Sequence, residues 1–413
     1  MIQNFINFPE MKTGIELKNA LSVLPTYSSN IRNQSKSERL IALSDLYTIY
    51  IPSAMSEEIY SKLYLALLRS MQKKFTQLSV HQRYENNKMI QKQAFNGILG
   101  GADSFTIIGT SGIGKSSAIN RAVSLITENQ LIEIKSPYAK IIPCLTVQCP
   151  FDSSVKGLLF EILRIVDKEL NSDYYRSVCN SRSATIDMLI GMVSTICLNH
   201  IGLLIVDEIQ NVVNSKNGRN LIGALTQLIN NSGISICMVG TPECTKFFEQ
   251  AMQLARRSVG LKYTNMRYDN YFQDFCETIF SYQYVKNVTH ADTSIIEWLY
   301  EHTSGVASVV ISLIHDAQEI AILNGSETLN LVALNEAYNT RLSMLHEYVK
   351  PQNVRYQNVT TKQMQPSFKS ATDNFVLCEN IMSFEEIRVT SKEKGLNAVD
   401  LIKKYYTVVE VKI

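Results

Sequence analysis

Short apolar runs alternate with helical patterns through the middle of the chain. In chain order, the four runs and the three helical patterns between them lie at 105–108, 116–127, 141–148, 155–170, 203–206, 221–229 and 234–239. Short buried strands that alternate with helices are typical of a parallel sheet covered by helices on both faces. The pattern therefore predicts an α/β domain, which we place at residues 96–268.

The segments on either side of this domain have different patterns. After residue 269 strands largely disappear, and four helical patterns predict a small all-helical lid domain at 269–349. They lie at 271–284, 293–302, 306–323 and 331–346. Before the α/β domain, a helical stripe from Ile59 to Met71 makes residues 1–95 a partly helical N-terminal extension. The polar, weakly patterned segment 350–413 is predicted to be a tail or a small partner-binding module.

The strongest chemical signal is the sequence Gly-Thr-Ser-Gly-Ile-Gly-Lys-Ser, which follows the first strand and opens a helix. It matches the phosphate-binding pattern GxxxxGK[ST], in which glycines let backbone N–H groups point at phosphate oxygens. Lys115 is expected to contact the β- and γ-phosphates of ATP, and the Ser116 hydroxyl is expected to bind Mg²⁺. The predicted nucleotide-binding residues are Gly109, Thr110, Ser111, Gly112, Ile113, Gly114, Lys115, Ser116 and Ser117.

The apolar run at 203–206 ends in two acids, Asp207 and Glu208. Carboxylates at the C-terminal end of such a strand lie at the edge of the sheet where ligands bind. Asp207 fits the Mg²⁺ position, as a ligand beside Ser116, and Glu208 fits the acid that orients and activates the attacking water. With the phosphate-binding loop, the two acids predict ATP hydrolysis rather than transfer by a kinase.

Two further positions are candidates for catalysis. Thr241 follows the run at 234–239 and is expected to contact the γ-phosphate or the water, the alternative being a turn residue that caps the next helix. Arg256 and Arg257 follow a helical stretch, from which an arginine can reach the ATP of a neighbouring subunit. A solvated pair on a surface helix is the alternative for these two arginines.

Together these residues resemble the AAA+ ATPase regulators of transposition, the TnsC/TniB type, over roughly residues 52–345. The resemblance rests on the phosphate-binding loop, Asp207-Glu208-Ile209-Gln210-Asn211, Val239-Gly240-Thr241-Pro242-Glu243, Leu254-Ala255-Arg256-Arg257 and the segment 149–158. It implies an AAA+ P-loop NTPase that forms ATP-dependent rings or helical filaments on double-stranded DNA. Such proteins link target-selection proteins to the transposase, and hydrolysis resets or disassembles the polymer.

The resemblance also implies where DNA is bound. Lys156 matches a DNA-contacting lysine in the loop after the second strand, and Arg176 is a second candidate. Cations there would neutralise phosphate charge without reading sequence, although Lys156 alone also fits an exposed lysine at a helix start. The chain departs from its relatives at 305–309, where they often carry a sensor arginine and this sequence has none. Ser258 replaces a frequent aromatic residue, which leaves the choice between Arg256 and Arg257 open, with Arg257 favoured.

Composition limits the setting. The 413 residues are 45% hydrophobic and 19% charged, with a formal net charge of +2, so DNA contact requires a local basic surface. No apolar run approaches the roughly 20 residues of a membrane span, and no signal-peptide pattern is visible. The 8 cysteines form no CxxC pair and no zinc-like spacing. Buried free thiols in a reducing cytoplasm are expected.

Two other functions remain compatible with these motifs. One is another DNA-associated AAA+ ATPase, of the replication initiator or loader type, which usually carries a C-terminal helix-turn-helix. The segment after Lys350 shows no clear pair of helices of that kind. The other is a signalling or defence NTPase that switches protein partners without DNA. Salt-dependent binding to random duplex separates this function from the two that involve DNA.

Overall fold

The computed structural model describes residues 10–74, 76–91, 93, 104–128, 130–135, 138–179, 185–250 and 259–343. The chain divides into two compact units, Met1–Val354 and Arg355–Ile413. All described residues belong to the first unit. Arg256 and Arg257, the predicted arginine candidates, lie outside the described residues, and so does the predicted module at 350–413.

A six-stranded sheet forms the centre of the first unit. Its strands are β1 Phe105–Gly109, β2 Ile132–Lys135, β3 Tyr138–Gln148, β4 Ile201–Asp207, β5 Ser235–Gly240 and β6 Val259–Tyr263, in the spatial order β2-β3-β4-β5-β1-β6. Strands β3, β4, β5, β1 and β6 are parallel to one another, whereas β2 pairs with β3 in the antiparallel direction. Because β5 lies between β1 and β4, the C-terminal ends of all three strands meet at one edge of the sheet.

Helices cover both faces of this sheet. In chain order they are α1 Gly14–Leu21, α2 Lys36–Ala42, α3 Ala54–Lys74, α4 Gln77–Ile90, α5 Lys115–Thr127, α6 Val155–Leu170, α7 Tyr174–Cys179, α8 Ile186–His200, α9 Gly218–Ser232, α10 Thr245–Gln250, α11 Asn270–Ser281, α12 Thr293–Thr303, α13 Ala307–Asn324 and α14 Leu331–Thr340. Leu203 and Ile205 of β4 pack with α3 and α5, whereas Leu204 and Val206 pack with α6, α8 and α9. Alternate strand residues thus enter two separate cores, and the predicted α/β fold with a parallel, helix-covered sheet is confirmed.

The pattern does not predict strands β2 and β6 or the long helix α8. The segment β6 reads Val-Gly-Leu-Lys-Tyr and β2 reads Ile-Glu-Ile-Lys, so neither contains an apolar run. Helix α8 is apolar around most of its circumference, because it packs against α4, α9 and the sheet. A helix buried on several sides lacks the one-sided pattern that identifies a surface helix.

The four helices α11 to α14 form the predicted helical lid. Their core contains Phe272, Leu299 and Leu313, and residues from the N-terminal part of the chain, Leu43 and Leu46, are also fully buried in it. The segment that links α2 to α3 is therefore part of the lid core. Among the described residues, no single helix is long and apolar enough to cross a membrane, and α12 with α13 reaches that length only as a pair bent by 120°.

The cysteines are free thiols wherever the structure describes them. Most are buried, as predicted, whereas Cys144 is half-buried and Cys179 is exposed. Burial raises the pKa of the Cys149 thiol to about 11 and that of Cys197 to about 12. Thiols with such pKa values stay protonated near neutral pH and are poor nucleophiles.

A buried ion pair joins the N-terminal segment to the lid. Arg39 is 1% exposed and donates from Nη1 and Nη2 to the two carboxylate oxygens of Glu327, over 2.6 and 2.7 Å. Its Nη1 also donates to the Tyr284 carbonyl over 3.0 Å. The hydrogen bonds from Arg39 hold the pKa of the Glu327 carboxyl below its ordinary value. Removal of either partner would leave a buried charge without compensation.

We therefore expect Arg39→Ala to lower the free energy of unfolding by about 3–5 kcal/mol, measured by chemical denaturation at pH 7. Arg164→Ala is the control, because Arg164 forms an exposed pair with Glu161 and should cost at most about 1 kcal/mol. Folding lowers the pKa of Glu327. The contribution of this carboxylate to the free energy of unfolding is therefore present at pH values above its unfolded-state pKa, and it is lost as the pH falls through the folded-state pKa. The difference in the free energy of unfolding between wild type and Arg39→Ala should become smaller below about pH 4. Equal losses in the two variants would contradict this role.

Candidate nucleotide-binding and hydrolysis site

The phosphate-binding loop is the turn between β1 and α5. Gly112 and Gly114 have left-handed φ angles of 82° and 94°, which glycine adopts without steric cost. Nothing lies within 4 Å of a Cβ built on Gly114, so the backbone angle alone explains that glycine. A Cβ on Gly112 would lie 2.4 Å from the Oγ of Ser308. Gly112 is therefore required both by its angle and by the close approach of the lid.

Lys115 is the first residue of α5, and its ammonium group points back at the loop. The Nζ donates to the carbonyl oxygens of Gly109 and Thr110, over 2.7 and 2.9 Å. Burial lowers the pKa of Lys115, while the negative charges of Asp207 and Glu208 act in the opposite direction. A phosphate beside this ammonium would favour its charged form.

The two predicted magnesium ligands lie next to each other. Ser116 donates from its hydroxyl to Oδ2 of Asp207 over 3.2 Å, although the two residues are 91 positions apart in the chain. The other Asp207 oxygen accepts from the Glu208 backbone N–H over 2.8 Å. A hydroxyl and a carboxylate at the edge of a cavity are the oxygen donors that Mg²⁺ prefers.

The backbone of Glu208 is left-handed, and the side chain of another residue holds its carboxylate. Its φ angle is 57°, which is unusual for a residue with a side chain and is found mainly where structure or function requires it. The Nε2 of Gln210 donates to Oε2 of Glu208. The spacing within the motif predicts no role for Gln210, because spacing alone does not show which side chains meet.

These groups surround a cavity of about 260 Å³. Its lining consists of Ser111, Gly112, Gly114, Lys115, Ser116, Ser117, Asp207, Glu208, Gln210, Gly240, Thr241 and Ser308. Within the part of the chain that the structure describes, Thr241 Oγ1 and Gln210 Oε1 are buried without a hydrogen-bond partner. Buried polar atoms in proteins are nearly always paired, so these two atoms are suited to a bound ligand. The ammonium, hydroxyl and carboxylate groups together fit a magnesium-bound triphosphate.

A second cavity of about 600 Å³ lies beside the first and shares Gly112, Gly114, Ser117 and Ser308 with it. Ile113 of the predicted loop lines this cavity, whereas Gly109 and Thr110 line neither of the two. Much of its wall is aromatic or aliphatic and comes from the segment before α3 and from the lid: Tyr47, Ile49, Tyr50, Ile51, Pro52, Tyr271, Phe275 and Ile311. Such a wall suits the apolar faces of a nucleoside base. Sequence reasoning missed these residues because no local motif marks them.

The two DNA candidates lie on the surface. Lys156 is exposed in the first turn of α6, with its Nζ 5.4 Å from the centre of the Phe160 ring. It lines a cleft of about 630 Å³ together with Arg219 of α9. Arg176 belongs to α7, is 79% exposed and lies 3.5 Å from the Asp173 carboxylate.

Hydrogen bonds connect the loop before α6 to the segment that follows the acids. Asn211 donates from Nδ2 to the Cys149 carbonyl over 2.9 Å, and Ser153 donates from Oγ to the Asn211 carbonyl over 3.1 Å. Ser215 also donates to the Asp152 carbonyl over 2.8 Å. The loop that leads to Lys156 is thus joined directly to the segment that begins at Glu208.

A family comparison agrees with this fold. Residues 98–248 match the family model of the AAA domain. No protein of curated function matches the sequence. Similar solved structures include Aeropyrum pernix ORC1 in complex with DNA, at 13% identity and TM-score 0.42 over 81% of this chain and 80% of that one. Drosophila ORC bound to DNA has 11% identity and TM-score 0.44, over 98% of this chain and 85% of that one. Domain III of Thermotoga maritima DnaA has 12% identity and TM-score 0.34, over 67% of this chain and 94% of that one.

The matched segment contains the phosphate-binding loop, both acids and Thr241. Residues 98–248 therefore form an AAA domain with the AAA+ P-loop fold.

Lys115→Ala should remove ATP binding, because the variant lacks the positive charge that is expected to contact the phosphates. We expect loss of at least about 3 kcal/mol of binding free energy, in line with removal of one member of a buried charge pair, measured by isothermal titration with Mg²⁺ and ATP. Lys168→Ala, an exposed lysine near the end of α6, is the control and should bind ATP as the wild type does. Wild-type affinity in Lys115→Ala would refute the assignment of the loop.

Proposed function

We propose that this protein is an ATP-hydrolysing regulator of DNA transposition. It oligomerises on double-stranded target DNA, without sequence preference, as a ring or helical filament in the cytoplasm. It links target-selection proteins to the transposase, and hydrolysis controls assembly and disassembly. The observation that supports it most strongly is the meeting of Lys115, Ser116, Asp207 and Glu208 at one 260 Å³ cavity.

The proposed reaction is the attack of water on the γ-phosphate. Glu208 would orient the water and accept its proton, while Thr241 would donate a hydrogen bond to the γ-phosphate or the water. Ser116 and Asp207 would hold Mg²⁺, which neutralises phosphate charge when bound. Lys115 would add a second positive charge, and Arg257 or Arg256 would act on the ATP of a neighbouring subunit.

The proposed organisation follows the predicted boundaries. Residues 96–268 would be the ATPase core and 269–349 the lid. The extension at 1–95 and the module at 350–413 would contact the target-selection and transposase partners. Lys156, with Arg176 as a second contact, would bind DNA phosphates. The hydrogen bonds from Asn211 and Ser215 to the loop before Lys156 support a link between this surface and the acids.

Glu208→Gln should bind ATP but hydrolyse it at least about a hundredfold more slowly, because the amide cannot accept the proton from water. Electron micrographs with duplex DNA and ATP should show rings or filaments that persist longer in this variant than in the wild type. Glu243→Gln is the control, since Glu243 is exposed and lies outside the cavity lining. Unchanged turnover in Glu208→Gln would remove Glu208 from its proposed role.

Lys156→Ala should weaken binding to random duplex equally for all sequences, since a phosphate contact carries no sequence information. The slope of log K against log salt concentration should fall by about 1, measured by fluorescence anisotropy with ATP. Lys168→Ala removes an exposed lysine from the other end of the same helix and should leave the slope unchanged. If the wild-type protein fails to bind duplex at low salt with ATP, the signalling or defence alternative replaces the DNA-based proposal.

A further inference from the structure

Ser308, in the first turn of the lid helix α13, lies directly against the phosphate-binding loop. Its backbone N–H donates to the Gly112 carbonyl over 3.1 Å. Its side chain is exposed and lines both cavities, so its hydroxyl shares the smaller one with Glu208 and Thr241. A hydroxyl of the lid therefore opens onto the same space as the groups assigned to the γ-phosphate.

The linker between β6 and α11 fixes this contact through one side chain. Asn265 accepts at Oδ1 from the Thr110 hydroxyl over 2.6 Å and donates from Nδ2 to the Ser304 carbonyl over 3.1 Å. The side-chain amide of Asn265 thereby accepts a hydrogen bond from the phosphate-binding loop and donates one to the lid. Thr110 precedes Gly112 by two positions and Ser304 precedes Ser308 by four, so both ends of the bridge lie close to the Gly112–Ser308 contact.

The turn that carries Ser304 into α13 is itself constrained. Ser304 and Gly305 have left-handed φ angles of 51° and 71°. The Met266 N–H donates to the Gly305 carbonyl over 3.0 Å, and a Cβ on Gly305 would lie 2.2 Å from the Met266 carbonyl oxygen. Both the N–H and the carbonyl group of Met266 thus contact Gly305 just before α13. This close approach leaves no room for a side chain at position 305.

We propose that Ser308 is the lid residue that contacts the triphosphate, and that Asn265 is the positioning residue that keeps it over the loop. The proposal rests on the ATP binding proposed above. The lid has no arginine at 305–309, and the Ser308 hydroxyl supplies a neutral hydrogen-bond donor to a phosphate oxygen instead. Because Ser308 shares its cavity with Glu208 and Thr241, the contact distinguishes ATP from ADP.

Ser308→Ala tests the contact. Isothermal titration with Mg²⁺ should show ATP affinity reduced about tenfold, the effect of losing one hydrogen bond to a charged acceptor, with ADP affinity changed less than twofold. Ser326→Ala is the control, because Ser326 is an exposed lid serine outside both cavity linings, and it should bind both nucleotides as the wild type does. Equal losses for ATP and ADP, or no loss, would overturn the contact while ATP binding itself stands. If the wild-type protein does not bind ATP, the proposed function fails first and this inference fails with it.

Asn265→Ala tests the positioning role. The ratio of ATP to ADP affinity should fall as far as it does in Ser308→Ala, and the double variant should show no further loss, because both changes remove the same contact. A merely structural role would lower both affinities or give additive losses, and either result would overturn the positioning role. Asn265→Leu is the second variant if Asn265→Ala fails to fold, since it keeps the size of the side chain and removes both hydrogen bonds without adding a charge. It should give the same reduced ratio.

Discussion

Ser116 and Asp207 are far apart in the chain, and they meet because β1 and β4 end at the same edge of a parallel sheet. The register of β5 between them places Gly240 beside Ile108, which brings Thr241 to the same edge. Every other feature of the cavity depends on this alignment. A shift of one strand by one residue would move its side chains from one core to the other and separate the hydroxyl from the carboxylate.

The sequence was most informative where chemistry depends on neighbouring positions. The spacing of glycines around Lys115 and the acids after an apolar strand are local patterns, and their positions relative to the sheet follow from the rule that parallel strands share a C-terminal edge. Asn265 could not be found in this way. Its partners Thr110 and Ser304 lie on opposite sides of it in the chain and become neighbours only when the lid folds back over the loop.

The wall of the larger cavity shows a second limit of sequence reasoning. Tyr47 and Tyr50 stand in a stretch with mixed pattern, and nothing in their surroundings indicates that they face the same space as Tyr271 and Phe275 of α11. Long-range packing determines this arrangement, just as it determines the strand β6, whose five residues include a glycine and a lysine. The lid and the segment before α3 therefore have to be considered together with the loop when the site is described.

The insertion of the N-terminal segment into the lid core has a consequence for how the protein is made. Leu43, Leu46 and Arg39 leave the ribosome early, whereas their partners in α11 to α14 and at Glu327 are synthesised more than two hundred residues later. The first part of the nascent chain must remain without these partners while the sheet domain forms, because contacts between distant residues cannot close before both are present. The lid is consequently the last part of the described unit to reach its native packing, and apolar residues of the early segment are available to chaperones until then.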